Sequence, residues 1–260
     1  MIAAALPAPQ FWRLTLIGAL SFIAVWTLAA LSGITSRTFL PAPWDVVVRL
    51  NQLLVQPFAG FVLHEHLLSS FQRFGMGFAL AVLVGVPLGL LMAWFRWLDR
   101  IVTPAFEAVR FVAPIAWVPF AALWFGTGIG GPVLIIFMGA FPPALINTYR
   151  GAQQVDHKYI EAARMLGANS WRVMTQVLLP AAVPSIVAGL RISAGLGWQS
   201  LVGAELIVAS SGVGYMMVKG QASVSTATVM CGMLAIGAVG LVIDVALRRA
   251  HAAIEKKRGL

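Results

Sequence analysis

Residues 161–180 read Glu161-Ala162-Ala163-Arg164-Met165-Leu166-Gly167-Ala168-Asn169-Ser170, then Trp171-Arg172-Val173-Met174-Thr175-Gln176-Val177-Leu178-Leu179-Pro180. This charged, small-residue stretch interrupts a chain that is otherwise strongly apolar. Just ahead of it, Asp156 stands where a helix N-cap accepts backbone N–H groups, with Val155 and Ile160 in the flanking staple positions. Gly167 is placed to stop that helix, because glycine accepts the left-handed conformation of a helix C-terminus. Asn169 or Ser170 then caps a second helix that feeds into Pro180, a residue suited to the first turn of the next helix. The spacing predicts a helix–turn–helix over 155–178 between two apolar segments.

Outward from this hairpin the solvent is lipid. Of 260 residues, 60% are hydrophobic and 10% charged, with a mean hydropathy of +0.87, whereas a soluble domain carries about a quarter charged residues. Apolar runs fall at 14–32, 67–94, 101–125, 132–149, 180–209 and 226–247, near the roughly 20 helical residues that cross a hydrocarbon core. This predicts an all-α polytopic membrane protein with about six transmembrane helices, in a single domain over 1–260. The first run has the charged flank of a signal peptide in Arg13, but its apolar core exceeds the ~15 residues of such segments. It reads as a retained helix.

The net charge of +9 suggests nucleic acid until its placement is considered. Arg13, Arg96, Arg100, Arg150, Lys158, Arg164, Arg172, Arg248, Arg249, Lys256, Lys257 and Arg258 fall at the start, in the second and fourth loops, or at the end. In a six-span chain those places share one side, while the opposite loops hold Arg37, Arg49 and Lys219. The positive-inside rule puts both termini in the cytoplasm. Cys231 is alone, so no intrachain disulfide forms, and it reads as a packing residue.

Within the spans, Gly85, Gly89 and Ala93 form a small-residue ladder for close helix approach, and Pro104, Pro114 and Pro119 interrupt the third run. Residues 44–55 form a short amphipathic helix at the outer interface, with Val46, Val47, Leu50, Leu53 and Leu54 apolar and Trp44 as anchor. Arg110 lies ten residues beyond Arg100, and Arg191 eleven beyond Pro180, each about 15 Å into the bilayer. A charge there costs about 2.5–3.5 kcal/mol or more. Two readings stand: the arginines line a path attractive to anions, or they pair with Glu107 to fix helix packing. Trp117 and Trp198 belong either to that path or to packing, and Glu205, near the outer end of its span, to an outer gate or an ion pair. Asp244 and Arg248 form a surface pair at i and i+4. His64 and His66 lack the spacing of a metal site and read as interfacial anchors; no metal ligands are assigned.

By composition, the hairpin either docks a partner or packs on its own bundle. Glu161-Ala162-Ala163, Gly167 six residues after Glu161, Val177 where an isoleucine is preferred, and Leu179-Pro180 resemble the EAA signature of type I ABC importer permeases. Glu107-Ala108-Val109-Arg110, Trp124-Phe125-Gly126-Thr127-Gly128, Gly189-Leu190-Arg191-Ile192 and Ala204-Glu205-Leu206-Ile207 resemble the nitrate, sulfonate and taurine permease group.

The resemblance implies the type I importer transmembrane fold, in the bacterial inner membrane, working as a homodimer. It implies two copies of an ATP-binding subunit, which carry ATP and Mg while this chain has no cofactor, and a periplasmic solute-binding protein. Glu161, Ala162, Ala163, Leu166 and Gly167 then couple to the ATPase, and the cargo is a small anion of sulfonate, nitrate, bicarbonate or carboxylate type. The chain itself is not an enzyme: it has no G-x-x-x-x-G-K-[ST] stretch and no nucleophile beside a base. The rival reading is an ATP-independent secondary transporter or channel for small anions.

Overall fold

The computed structural model describes residues 8–33 and 36–258. The two ends of the domain expected over 1–260, and the side chains of Lys257 and Arg258, lie outside the described residues. The regular structure is helical: α1 (Ala8–Leu31), α2 (Pro43–Val55), α3 (Leu63–Trp94), α4 (Arg96–Val109), α5 (Val118–Phe125), α6 (Gly130–Gln153), α7 (His157–Met165), α8 (Ser170–Val173), α9 (Leu179–Val208), α10 (Val213–Ala222) and α11 (Thr226–Arg258). Five rods, α1, α3, α6, α8 running into α9, and α11, are long and apolar enough to cross a membrane.

The third expected span departs from a continuous run over 101–125. α4 and the segment Pro114–Phe125 meet at 89°, and Pro114–Trp117 is a 3-10 turn. Pro114 causes the break, since proline lacks an N–H and pushes the preceding residue out of the α region; Ala113 has ψ 138°. Pro87, by contrast, lies inside an unbroken α3. The fifth span also differs from 180–209. Its helix begins at Ser170, inside the hairpin, and passes through a π-helical turn at Met174–Leu178 before Pro180. Pro180 cannot donate to the carbonyl four residues back and its ring crowds that oxygen, a conflict that the wider turn accommodates.

The chain packs as two compact units. The first contains the chain up to Leu63 with Met216–Leu234. α2 starts on Pro43, with the Asp45 carboxylate accepting the Ala42 N–H at 3.1 Å. Val46 and Leu53 are buried, Arg49 Nε donates to Thr228 Oγ1 at 2.9 Å, and the Cys231 thiol donates to the Val46 carbonyl at 3.3 Å. Val47 and Leu54, expected on the apolar face, are exposed, so the buried stripe is one residue wide.

The second unit comprises His64–Tyr215 and the chain from Ala235. α6 is its centre, with α9 and α3 laid against it through small residues. A side chain at Gly151 of α6 would strike Ser185 of α9, and one at Gly189 of α9 would strike Asn147 of α6. On α3, a Cβ at Gly89 would lie 2.8 Å from the Leu145 carbonyl and one at Gly85 3.1 Å from Ala144, the approach that the glycine ladder predicts. Phe74, Ile136, Ala194, Trp198 and Leu201 form a buried cluster between these helices. Two buried hydroxyls are satisfied by helix carbonyls: that of Thr148 donates to Ala144 on its own helix at 2.7 Å, and that of Ser193 on α9 donates across to Ala140 on α6.

Candidate functional site

The hairpin is built as its punctuation predicts. The Asp156 carboxylate accepts the Lys158 N–H at 3.0 Å, and the Asn169 side chain accepts that of Arg172 at 2.9 Å. Gly167 has φ +80°, and the Gly167 and Ala168 N–H groups donate to the carbonyls of Arg164 and Ala163 at 2.9 and 3.0 Å. Those two bonds are a Schellman closure, which needs a residue free to adopt positive φ. Ile160 is buried while Glu161 and Ala162 face solvent and Ala163 is half-buried. The three-residue spacing of Ile160, Ala163 and Leu166 would put them on one helical face, but they do not share one. Leu166 sits on the C-cap residue beyond the last helical position and turns away. Met165 and Leu166 are 86% and 89% exposed, and Trp171 is exposed beside them in sequence. The tip is thus apolar and exposed, with the charged side chains of Glu161 and Arg164 beside it in sequence.

Arg110 is the C-cap of α4, at the break in the third span. Its Nε donates to Glu107 Oε2 at 2.6 Å, and its guanidinium carbon lies 4.7 Å from the Phe111 ring centroid. Two cavities of about 330 Å³ adjoin it. One is walled by Pro142, Pro143, Gln199, Ser200 and Gly203, the other by Phe106, Phe141 and Trp117. The broken helix thus presents a cation, a carboxylate and an indole to open space.

Arg191 goes elsewhere. Its Nε donates to Asp244 Oδ1 at 2.7 Å, and Arg248 binds the other oxygen of the same carboxylate. The expected partnership of Arg191 with Glu107 is therefore absent, and Asp244 bridges α9 to α11 rather than serving Arg248 alone. Trp198, expected along the path, is buried: its indole N–H donates to the Ile236 carbonyl at 3.1 Å and its ring meets Phe74 edge-on at 5.3 Å.

Glu205 is 2% exposed and centres a buried polar cluster. Its Oε1 accepts from Arg73 Nη1 at 2.9 Å, its Oε2 from the Gly214 N–H at 2.9 Å, and both oxygens lie 2.8 Å from the Ser70 hydroxyl. Arg73 continues to the Ser211 carbonyl and hydroxyl, each at 2.6 Å. His66 Nδ1 accepts the Gly212 N–H at 3.2 Å, so His66 is a buried strut and not the interfacial anchor expected. A Cβ at Gly212, where φ is +106°, would collide with the Glu205 carboxylate. The cluster ties α3 and α9 to the loop that follows α9. Among the described residues, no three His, Cys, Asp or Glu side chains converge as a metal site.

Residues 85–259 match the family model described as the binding-protein-dependent transport system inner membrane component. The chain is also 37% identical over 231 residues to a putative ABC transporter permease protein of Methanocaldococcus jannaschii, spanning 87% of this chain and 85% of that one. The chain belongs to this permease family. It is 35% identical to the taurine transport system permease protein of Escherichia coli, over 86% of this chain and 81% of the relative. The bicarbonate transport system permease protein of Synechococcus elongatus is 33% identical, over 89% and 85%. Among solved structures, an inward-facing form of the MetNI methionine ABC transporter superposes with a TM-score of 0.57, 20% identity and coverage of 82% of this chain and 98% of that one; this likeness is one of fold. The permease is thus the inner-membrane subunit of an ABC importer, with ATP hydrolysis carried by a separate subunit.

Sequence reasoning passed over Ser70 and Arg73 of the permease. The signal was present: His66, Ser70 and Arg73 recur at i, i+4 and i+7, one helical face, and an arginine seven residues into an apolar helix needs a partner. Gln199, Ser200 and the acceptor of Arg191 carried no signal of their own, because what selects them is the register of helices distant in sequence.

Proposed function

We propose that the permease imports a small anion, with Arg110 at the translocation path and α7 as its coupling helix. The observation that carries the solute class is the guanidinium of Arg110 beside cavities of about 330 Å³, offset by a single half-exposed carboxylate, Glu107. The solutes named for the relatives, taurine and bicarbonate, are small and each carries an anionic oxygen group at neutral pH, the sulfonate of zwitterionic taurine and bicarbonate itself, which supports the same reading. Glu107, Arg110 and Trp117 face the solute; Arg191, through Asp244, and Glu205, through Arg73, hold the walls; Trp198 packs behind them.

Two copies of the permease stand with two ATP-binding subunits and a periplasmic receptor, both termini lie in the cytoplasm, and 1–260 acts as one transmembrane domain. ATP binding closes the ATPase pair, draws the two hairpins together through Glu161, Ala162, Ala163, Leu166 and Gly167, and turns the cavity outward. The test is uptake by proteoliposomes holding the complete importer, with taurine, nitrate, bicarbonate and aromatic carboxylates offered alongside neutral and cationic amines. Anion uptake that fails with Arg110→Gln, while the complex still assembles, supports the reading. Selective uptake of a solute that carries no anionic group sinks it.

A further inference from the structure

The opposite end of the second unit holds a cavity that the transport path does not use. It encloses about 620 Å³ between the α3–α4 turn, the end of α6 and α7, and is lined by Trp94, Arg96, Arg100, His157 and Arg164 together with Asp99. Arg96 opens α4, where the helix dipole disfavours a cation. Arg100 follows at i+4, where a like charge disfavours it further. Arg164 reaches in from α7 with its guanidinium carbon 5.7 Å from the Trp94 ring centroid. The lining carboxylate, Asp99, accepts the Thr103 hydroxyl at 2.7 Å and lies beside the Tyr149 hydroxyl. Among the described residues, no ion pair within 4.0 Å is made by Arg96, Arg100 or Arg164. Three guanidiniums thus border one space whose lining carboxylate, Asp99, is engaged by Thr103 and Tyr149 and makes no ion pair with the arginines.

We propose that this cavity binds a phosphate-class anion, and that the anion is the headgroup of an acidic phospholipid. Guanidinium forks match phosphate oxygens in bidentate geometry, and basic pockets at the cytoplasmic ends of membrane helices hold acidic headgroups. On the same helix Trp97 and Ile101 are exposed apolar side chains, which suits acyl chains descending beside α4 while the headgroup sits in the cavity. The bound headgroup neutralises α4 and, through Arg164, steadies the coupling helix, so lipid composition sets how firmly the hairpin is held. The site is independent of the solute carried but rests on α7 being the coupling helix.

The experiment uses the complete importer in nanodiscs of neutral phosphatidylcholine, with or without cardiolipin, and compares wild type with Arg96→Gln/Arg100→Gln and Arg96→Lys/Arg100→Lys. Cardiolipin retained by the complex is quantified by native mass spectrometry, and inorganic phosphate binding is measured in the neutral discs. The lipid reading expects wild type to retain cardiolipin, with binding about fivefold weaker per arginine neutralised and about thirtyfold weaker for the Gln pair; the Lys pair keeps most of it. Phosphate binding without cardiolipin retention, lost in the Gln pair, keeps the site and assigns it to a free anion instead. Equal retention of both probes by wild type and the Gln pair overturns the proposal. Loss of the ATP-binding subunit from the Gln pair also overturns it, because the arginines would then belong to subunit docking. If the coupling reading alone fails, lipid retention stays arginine-dependent while Leu166→Asp leaves the ATPase bound.

Discussion

Replacing Glu205 by alanine removes the acceptor for Arg73 Nη1, the Ser70 hydroxyl and the Gly214 N–H at once. Arg73 is itself buried and its Nε has no partner, so the guanidinium keeps only its two bonds to Ser211. Breaking a buried pair from one side costs about 3–5 kcal/mol, because the remaining charge stays desolvated. Glu205→Gln saves little: its amide offers one acceptor oxygen, while its NH2 faces either Arg73 or Gly214, both donors. Arg73→Met/Glu205→Leu strands no charge and should recover most of the loss, as replacement of buried pairs by apolar residues does elsewhere. The assay is unfolding of the purified permease in mild detergent under a denaturant gradient, followed by tryptophan fluorescence. An unchanged midpoint for Glu205→Ala, or a double variant less stable than both singles, would refute the view that Glu205 holds the C-terminal end of α9 through Arg73.

Four further outcomes are expected. Leu166→Asp should leave the unfolding midpoint in place, since the side chain is almost fully exposed, yet abolish co-purification of the ATP-binding subunit. Arg110→Gln leaves Glu107 half-exposed and unpaired, costs below about 1 kcal/mol, and should lower receptor-dependent uptake with an unchanged size-exclusion profile. Gly189→Leu drives a side chain into Asn147 and should cost about 1–3 kcal/mol or more by overpacking, read as a lowered midpoint. Deletion of the exposed Gln176 should convert the π turn to α geometry and shift the hairpin relative to α9; helix content by circular dichroism should hold while receptor-stimulated ATPase activity falls.

Local punctuation was legible in the sequence and tertiary register was not. Asp156, Gly167 and Asn169 act on neighbours within a few residues, so their positions alone predict the caps later seen at 3.0, 2.9 and 2.9 Å. The long helices fall on the apolar runs, though the fifth starts at Ser170 inside the hairpin, and Pro114 marks the break that splits the third. Asp244 is different: its i+4 relation to Arg248 is visible in sequence, but its bond to Arg191 crosses 53 residues and depends on how α11 lies against α9. Glu205 has the same history with Arg73, 132 residues away. Leu166 failed for a third reason, because helical periodicity was extended one residue past the end of the helix, where the C-cap geometry turns the side chain outward.

The hairpin and the fifth span form one mechanical element, which bears on where a stroke delivered to α7 can go. The Schellman closure through Gly167 and Ala168 occupies most of the four residues, Leu166 to Asn169, between α7 and the rod that begins at Ser170. From Ser170 the helix runs unbroken to Val208, about 57 Å at 1.5 Å per residue. Its middle is seated in α6 by small residues at Gly189 and Gly197, which resist sliding because close packing tolerates no overlap. Its end is tied by Glu205 to α3. A rod held at its middle and end answers a push on its free end by bending between the push and the first contact, not by translation along its axis. The π turn at 174–178 lies between the push and that contact, where the backbone is locally underwound. The Asp244 bridge to Arg191 sits on the same side of Gly197 as the hairpin, just beyond the Gly189 contact, so it is a cross-helix ion pair on the hairpin side of the rod that such bending strains.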